Sequence, residues 1–200
     1  MRAIKKHGRK LLVAAGLMGA TFAAAPPAKP AHAPVCNGSE RWKVKTLQDE
    51  TAGQVHLSSS TSISIADLIA KARSSDWSSD NNSPRLGDEF DVYTTRGKII
   101  YAQEQKDGDI HIELSDGKNP EHTVIAEIPN PNCPNVKNSD FVQKFRKVKN
   151  DWLNKYQDKT VYSKGTFEVK GILFHDSKNH GNGGNENGVE LHPVLSIKKL

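Results

Sequence analysis

Cysteine is scarce in this 200-residue sequence: Cys36 and Cys133 are the only two, and they do not form a C-x-x-C pair. That scarcity excludes a cysteine-based zinc module, an iron–sulfur site and a dithiol redox centre. Aromatic residues are also few, at 6%, and a mean hydropathy of −0.63 points to a modest core. No apolar run after residue 25 is long enough to span a bilayer as a helix. Acidic residues are missing altogether from positions 1–33, although the chain holds 23 of them.

Residues 1–10 instead carry Arg2, Lys5, Lys6, Arg9 and Lys10, and Leu11–Ala25 is an apolar run of small residues and leucines. Charge followed by a short apolar segment reads as an export signal. The run is broken by Gly16 and Gly19 and is short for a membrane span, which sets an uncleaved anchor second. Cleavage fits best after Ala23 or Ala24; Ala31-His32-Ala33 has the same small-x-small form but would leave Pro34 first. Without residues 1–33 the chain keeps 22 of its 28 basic residues against all 23 acids, a net charge of about −1. The sequence pI of 9.1 therefore reflects the targeting segment and does not mark a nucleic-acid or anionic-membrane partner.

In an oxidising compartment the two cysteines are expected to form one structural disulfide. Its long loop corresponds to about 4.7 kcal/mol in the chain-entropy treatment, an upper figure. Lipidation of Cys36 is the alternative, but Ala33-Pro34-Val35-Cys36 lacks the leucine of a lipobox and lies well past the apolar run.

Hydrophobic periodicity divides the rest. Arg41–Leu47, where Trp42, Val44 and Thr46 alternate with Lys43 and Lys45, reads as a half-buried strand. Ser62 or Ser64 can cap a short helix through Ile65, Leu68, Ile69 and Ala72, and the serine-rich stretch 74–84 around Trp77 is a loop. From Glu89 on, Phe90–Thr95 and Lys98–Gln105 read as one long strand interrupted at Gly97. Asp109–Ser115 and His122–Ile128 are the second and third. Phe141, Phe145, Val148, Trp152 and Tyr156 recur at helical spacing, with Lys144, Lys147, Lys149 and Lys155 on the solvent side. Val161–Phe174 and Val189–Lys198 are two further strands, joined by the Gly/Asn-rich loop Asp176–Asn187.

The expected organisation is a signal peptide at 1–24, an Ala/Pro-rich linker with the first cysteine at 25–40, an N-terminal extension at 41–88 and a single mainly-β domain at 89–200. The order β-β-β-α-β-β is that of the five-stranded OB barrel, whose ligand face is strands 2 and 3. A three-layer α+β sandwich is the competing architecture. The first strand is expected to pair with the second and fourth, and the fifth to close against the first.

Glu40-Arg41-Trp42-Lys43-Val44-Lys45-Thr46, Asp107-Gly108-Asp109-Ile110-His111, Val124-Ile125-Ala126-Glu127-Ile128-Pro129 leading to Cys133, and Gly188-Val189-Glu190-Leu191-His192-Pro193-Val194 together resemble a group of bacterial exported proteins. That resemblance implies an OB-like fold and no particular activity. More distantly, the Asp-Gly-Asp turn followed by two strands is similar to staphylococcal-type thermonucleases. There the second aspartate binds calcium, and the next hairpin supplies an arginine to the phosphate and an aspartate before Thr-Pro. Asp109 fits the first role. Thr123–Ile128 contains no arginine, and Ile128-Pro129-Asn130 before Pro131 contains no carboxylate. Phosphodiester hydrolysis needs both, so Asp107-Gly108-Asp109 is read as turn chemistry.

Period two places Asp109, His111 and Glu113 on one face of the second strand, opposite Ile110, Ile112 and Leu114, and sets Glu190 and His192 outward on the fifth. Asp109, His111, Glu190 and His192 are the candidate ligand or metal residues. No short-range zinc spacing such as H-x-x-x-H joins them, and with closure against the first strand they need not meet, so surface or hydrogen-bonded histidines are the default. His175 falls in phase with Phe167, Val169 and Leu173. His180 and Glu186 sit in the Gly/Asn-rich loop, which lacks a calcium-binding repeat. No catalytic residue is assigned, and no cofactor motif is present. Strands two and three lack the aromatic platforms of nucleic-acid-binding barrels.

These features together describe a secreted or periplasmic, monomeric binding or interaction module of unassigned ligand, without nucleic-acid affinity and without a membrane span once the signal is removed. A metal-assisted hydrolase or degenerate nuclease is the alternative. Mass spectrometry of exported material should find a soluble chain that begins before Cys36 and lacks residues 1–20.

Overall fold

The computed structural model describes residue 36 and residues 40–71, 76–119, 122–177 and 188–200. The signal peptide, most of the linker, and His180 and Glu186 lie outside the described residues. After the helical turn α1 (Trp42–Lys45) come a two-residue strand β1 (Thr61–Ser62) and helix α2 (Ile65–Ile69). The long strand β2 (Val92–Glu104) leads into the hairpin β3 (Ile110–Ser115) and β4 (Thr123–Ile128). Helix α3 (Val142–Lys155), a turn α4 (Lys159–Tyr162), and strands β5 (Phe167–His175) and β6 (Val189–Lys199) complete the order.

β2 is antiparallel to β3, β3 to β4, and β5 to both β2 and β6, while β4 and β6 run parallel through Ile125↔Glu190 and Ala126↔Leu191. These pairings close five strands into a mixed barrel, and β1 lies outside it alongside β2. The topology is that of an OB-like barrel. Its seam departs from expectation. The fifth barrel strand, β6, closes against the third, β4, and not against the first, while the first, β2, pairs with the second, β3, and the fourth, β5, as expected.

Gly97 interrupts nothing in the backbone. β2 passes through it unbroken and changes partner there, pairing with β5 up to Gly97 and with β3 from Lys98 onward. A Cβ at Gly97 would stand 2.7 Å from Ile65 Cδ1 and 2.8 Å from the Ser115 carbonyl oxygen. Glycine is thus the residue that allows this approach.

The barrel interior is filled by Ile110, Ile112 and Leu114 of β3, Val124, Ala126 and Ile128 of β4, and Phe167, Val169 and Leu173 of β5. α2 adds Ile65 and Leu68, and α3 adds Val148 and Trp152. The Ser64 side chain accepts a hydrogen bond from the Asp67 amide and so starts α2. A second apolar cluster lies outside the barrel, where Trp42, Leu47, Ala52 and Val55 of the extension pack on Val92, Ile172, Leu195 and Phe145.

Four local expectations are corrected. Residues 41–47 form a helical turn and not a strand: no described strand pairs with them, and the Val44 and Thr46 amides donate to the Arg41 and Trp42 carbonyls at 2.8 and 3.1 Å. Arg41 and Leu47 flank this turn in left-handed conformations, with φ of 59° and 55°. Residues 159–162 are helical, with the Asp158 side chain accepting from the Thr160 amide, so the fourth barrel strand begins only at Phe167. Lys149 is buried, because its ammonium donates to the Gly108 carbonyl at 2.5 Å and pairs with Glu104 at 3.1 Å. The outward face of β3 is buried as well, since all six of its residues are buried.

Cys36 and Cys133 are disulfide-bonded with Cα atoms 5.3 Å apart, tying the start of the extension to the loop after β4. Among the described residues no helix is long and apolar enough to cross a membrane. Phe145, Val148 and Trp152 of the helix stripe are buried and Phe141 is half-buried, while Trp152 stacks on Tyr162 with ring centroids 5.9 Å apart. Trp152→Ala is therefore expected to cost about 3–5 kcal/mol of unfolding free energy, measured by denaturant titration.

Candidate functional site

Cross-strand register builds one polar cluster on the outward face of the barrel. Glu127 of β4 is directly paired with His111 of β3. On its other side, the parallel register Ile125↔Glu190 and Ala126↔Leu191 continues by one step to Glu127 and His192. One carboxylate is thereby flanked by an imidazole from each neighbouring strand. Its Oε1 lies 2.8 Å from His111 Nδ1, and its Oε2 lies 3.1 Å from His192 Nδ1. His111 Nε2 faces Glu113 at 3.5 Å. His192 stands 3.7 Å from Glu190 through Nδ1 and 3.6 Å from Asp109 Oδ2 through Nε2. The other oxygen of Asp109 accepts from the Asn130 amide at 2.7 Å.

All four candidate residues, Asp109, His111, Glu190 and His192, thus belong to one neighbourhood, where separate outward positions were expected. The wrong closure partner for β6 is what kept them apart in the sequence reading. Glu127 was missed for a second reason: the carboxylate was sought next to Pro131, whereas Glu127 lies two residues before Pro129. The signal that could have found it is the spacing Glu127-Ile128-Pro129 on the strand after Asp109. His175 stands apart, buried with Nε2 3.1 Å from Asp88.

Burial is nearly complete, at 1% exposure for Asp109 and His192 and 2% for Glu190. Desolvation pushes the Asp109 carboxyl up to about 7, aided by repulsion from Asp107 and Glu127. Glu190 is likewise raised to about 7 by burial and by Glu127. Burial opposes charge on the imidazoles, but the carboxylates prevail: Glu113 and Glu127 hold His111 at about 10, and Glu127 and Glu190 hold His192 at about 9. Glu127, despite its own burial, is kept well below the usual carboxylate range by His111, His192 and Lys45. Lys45 is held above its ordinary value, against its burial, by Glu190, Asp176 and Glu127, and bonds Asp176 at 2.9 Å.

Satisfaction is incomplete. Asp109 Oδ2, Glu113 Oε1, Glu190 Oε2 and both nitrogens of His192 are buried without an aligned hydrogen bond. Asp109, Glu127 and His192 are the group of potential metal ligands among the described residues, with one donor atom from each lying within 4.8 Å of the others. Chemically the cluster can hold a proton or a cation. The described arginines are engaged elsewhere, Arg41 with Glu89, Arg85 with Asp49, Arg96 with Glu168 and Arg146 with Gln143.

No family model matches the chain, and no curated protein matches it. Among solved structures, asparaginyl-tRNA synthetase of Entamoeba histolytica aligns with 55% of this chain and 20% of its own length, at 16% identity and a TM-score of 0.35. The same enzyme in complex with asparaginyl-adenylate aligns with 71% of this chain and 24% of its own, at 16% identity and a TM-score of 0.40. The chain therefore spans a quarter or less of these synthetases.

The histidines give the cluster a definite pH sign. Folded values of about 10 for His111 and 9 for His192 exceed the unfolded value of about 6.5. Their contribution is complete below about 6.5 and is lost as pH rises through the folded values. Asp109 and Glu190, raised to about 7, lose theirs over the range from about 4 to 7. In metal-free buffer, unfolding free energy measured by denaturant titration should fall from about pH 6.5 to 10. His111→Gln should flatten the upper part of that slope.

Proposed function

We propose that this chain is an exported binding module that holds its ligand without turning it over, in the periplasm or outside the cell. The observation that carries the reading is the chemistry of the barrel face. The outward positions of β3 and β4 present Glu113 and Glu127, joined by Asp109 and Glu190, and the imidazoles among them are already engaged by these carboxylates. Imidazoles held in this way are not free to neutralise a phosphate. β3 and β4 also hold no aromatic side chain on which a base can stack. The basic head of the sequence, the short apolar run and the Cys36–Cys133 bond support export.

Metal-assisted hydrolysis is the second reading, and the pairing of Asp109 with Glu127 favours it. Two features weigh against it. Transition-state charge on phosphorus needs a cationic partner, whereas each described arginine is bonded to another side chain and Lys45, the cation nearest the cluster, is paired with Asp176. In addition, side chains 1% exposed do not touch a polymer in this conformation.

Labelled single-stranded DNA and RNA, titrated at about 150 mM salt, should bind no tighter than the non-specific range on the order of 10⁻⁴ to 10⁻⁶ M. No calcium-dependent cleavage should appear. Submicromolar binding or nuclease activity would overturn the reading.

A further inference from the structure

We propose that Asp109, Glu127 and His192 form a buried site for a divalent transition-metal ion of the zinc class, which staples the parallel seam of the barrel. The inference names a ligand for the binding-module reading and rests on it, since the ion is held and not used in turnover.

Three strands contribute. Asp109 immediately precedes β3, Glu127 lies on β4 and His192 on β6. The β4–β6 pairing is the shortest in the barrel, with two registered residue pairs, and Glu127 and His192 stand just beyond its end. An ion bound there would join β3, β4 and β6 where backbone hydrogen bonding stops.

The orphaned atoms point into this space. Asp109 Oδ2 and both His192 nitrogens have no aligned hydrogen bond in residues that are 1% exposed. Leaving a buried polar group unsatisfied is costly, and Asp109 Oδ2 and His192 Nε2 stand so 3.6 Å apart. A cation bound by these two atoms would satisfy them together. Nε2, 3.6 Å from Asp109 Oδ2, is the nitrogen placed to ligate, which leaves Nδ1 facing Glu190, a carboxylate outside the ligand set, at 3.7 Å. That is the usual outer support of a metal-bound imidazole.

Donor type narrows the ion. One imidazole and two carboxylates suit zinc, manganese, cobalt or nickel, whereas copper(I) prefers thiolate or thioether and both cysteines are consumed in the disulfide. Calcium takes six to eight oxygen ligands, and an imidazole is a poor member of that shell. Bonds of about 2.0–2.2 Å in a tetrahedral site set donors on the order of 3.4 Å apart. The present spread of up to 4.8 Å therefore closes by about an ångström or slightly more on binding. Glu190, beside His192, is placed to support or complete the set.

The test uses the exported, disulfide-bonded chain, stripped with a chelator and titrated separately with zinc, cobalt(II) and calcium. One zinc per chain is expected by calorimetry and elemental analysis, with a rise in Tm of about 5–10 °C at free zinc a hundredfold above Kd. Cobalt(II) should give the visible absorption of a low-coordinate site, and calcium should leave Tm unchanged. Asp109→Asn and His192→Gln should each weaken zinc binding at least tenfold, while Glu168→Gln, on the far side of β5, should not. The cobalt spectrum of the unaltered chain tests the site even if His192→Gln fails to fold. Failure of zinc and cobalt to bind stoichiometrically, or undiminished binding by Asp109→Asn, would overturn the proposal. If no ion binds while nuclease and oligonucleotide assays stay negative, the metal site is refuted and the binding-module reading stands. If zinc binds and phosphodiester cleavage appears, the non-catalytic reading falls instead.

Discussion

Closure of the barrel through β4 and β6 is the constraint from which the remaining features follow. A five-stranded sheet with a free β4 edge would expose backbone donors and acceptors along its length. The parallel contact Ile125↔Glu190 and Ala126↔Leu191 removes that edge. Gly171 makes the return possible, since a Cβ there would lie 2.8 Å from Leu191 Cβ. The same closure carries His192 to the side of Glu127 and so assembles the buried cluster. Fold and site share one cause.

Burying that cluster raises a problem that is partly met by pairing. Charges taken out of water need partners, and removing one member of such a pair typically costs about 3–5 kcal/mol. Here one partner, Lys45, comes from the N-terminal extension, which carries buried ion pairs of its own as well. Arg41 forms a two-pronged bond to Glu89 at 2.6 and 2.5 Å, and Glu89 also accepts from the His175 amide at 3.0 Å. Arg85 holds Asp49 at 2.7 Å and the Val44 carbonyl at 2.8 Å. Lys45 reaches Asp176 and lies 5.0 Å from the Phe174 ring centroid, and that ring in turn meets His192 edge-on. The extension is therefore joined to the barrel by directional bonds as well as by apolar burial and the disulfide. These bonds define how it lies on β5 and β6. At the seam, pairing stays incomplete, and the unsatisfied atoms of Asp109 and His192 mark the place where the chemistry is unfinished.

Periodicity makes the main elements legible in the sequence. Strands 110–115, 123–128 and 189–199 and the helix over 142–155 match the sequence pattern closely because each has a strictly apolar face that must be buried. The short α1 turn was misread because Trp42 and Val44 against Lys43 and Lys45 mimic a strand over so few residues. What decides there is tertiary: Lys45 is drawn inward by Asp176. Asp109, His111, Glu190 and His192 were singled out as outward-facing groups with ligand chemistry. Their assembly was not foreseen, and neither was Glu127 at its centre.

By itself the sequence determined the export-like head, the strand and helix periods, the cysteine pair and the barrel order. These are local or nearly local properties, set by side-chain alternation, turn residues and composition. Tertiary structure alone decided which strand closes the barrel and that the outward face is buried. It also decided that residues 63 to 83 positions apart, Asp109 with His192 and Glu127 with Glu190, share one desolvated space. Strand pairing across such separations depends on long-range closure that no short pattern records. The charge state of a carboxyl or an imidazole depends on neighbours that only this closure supplies.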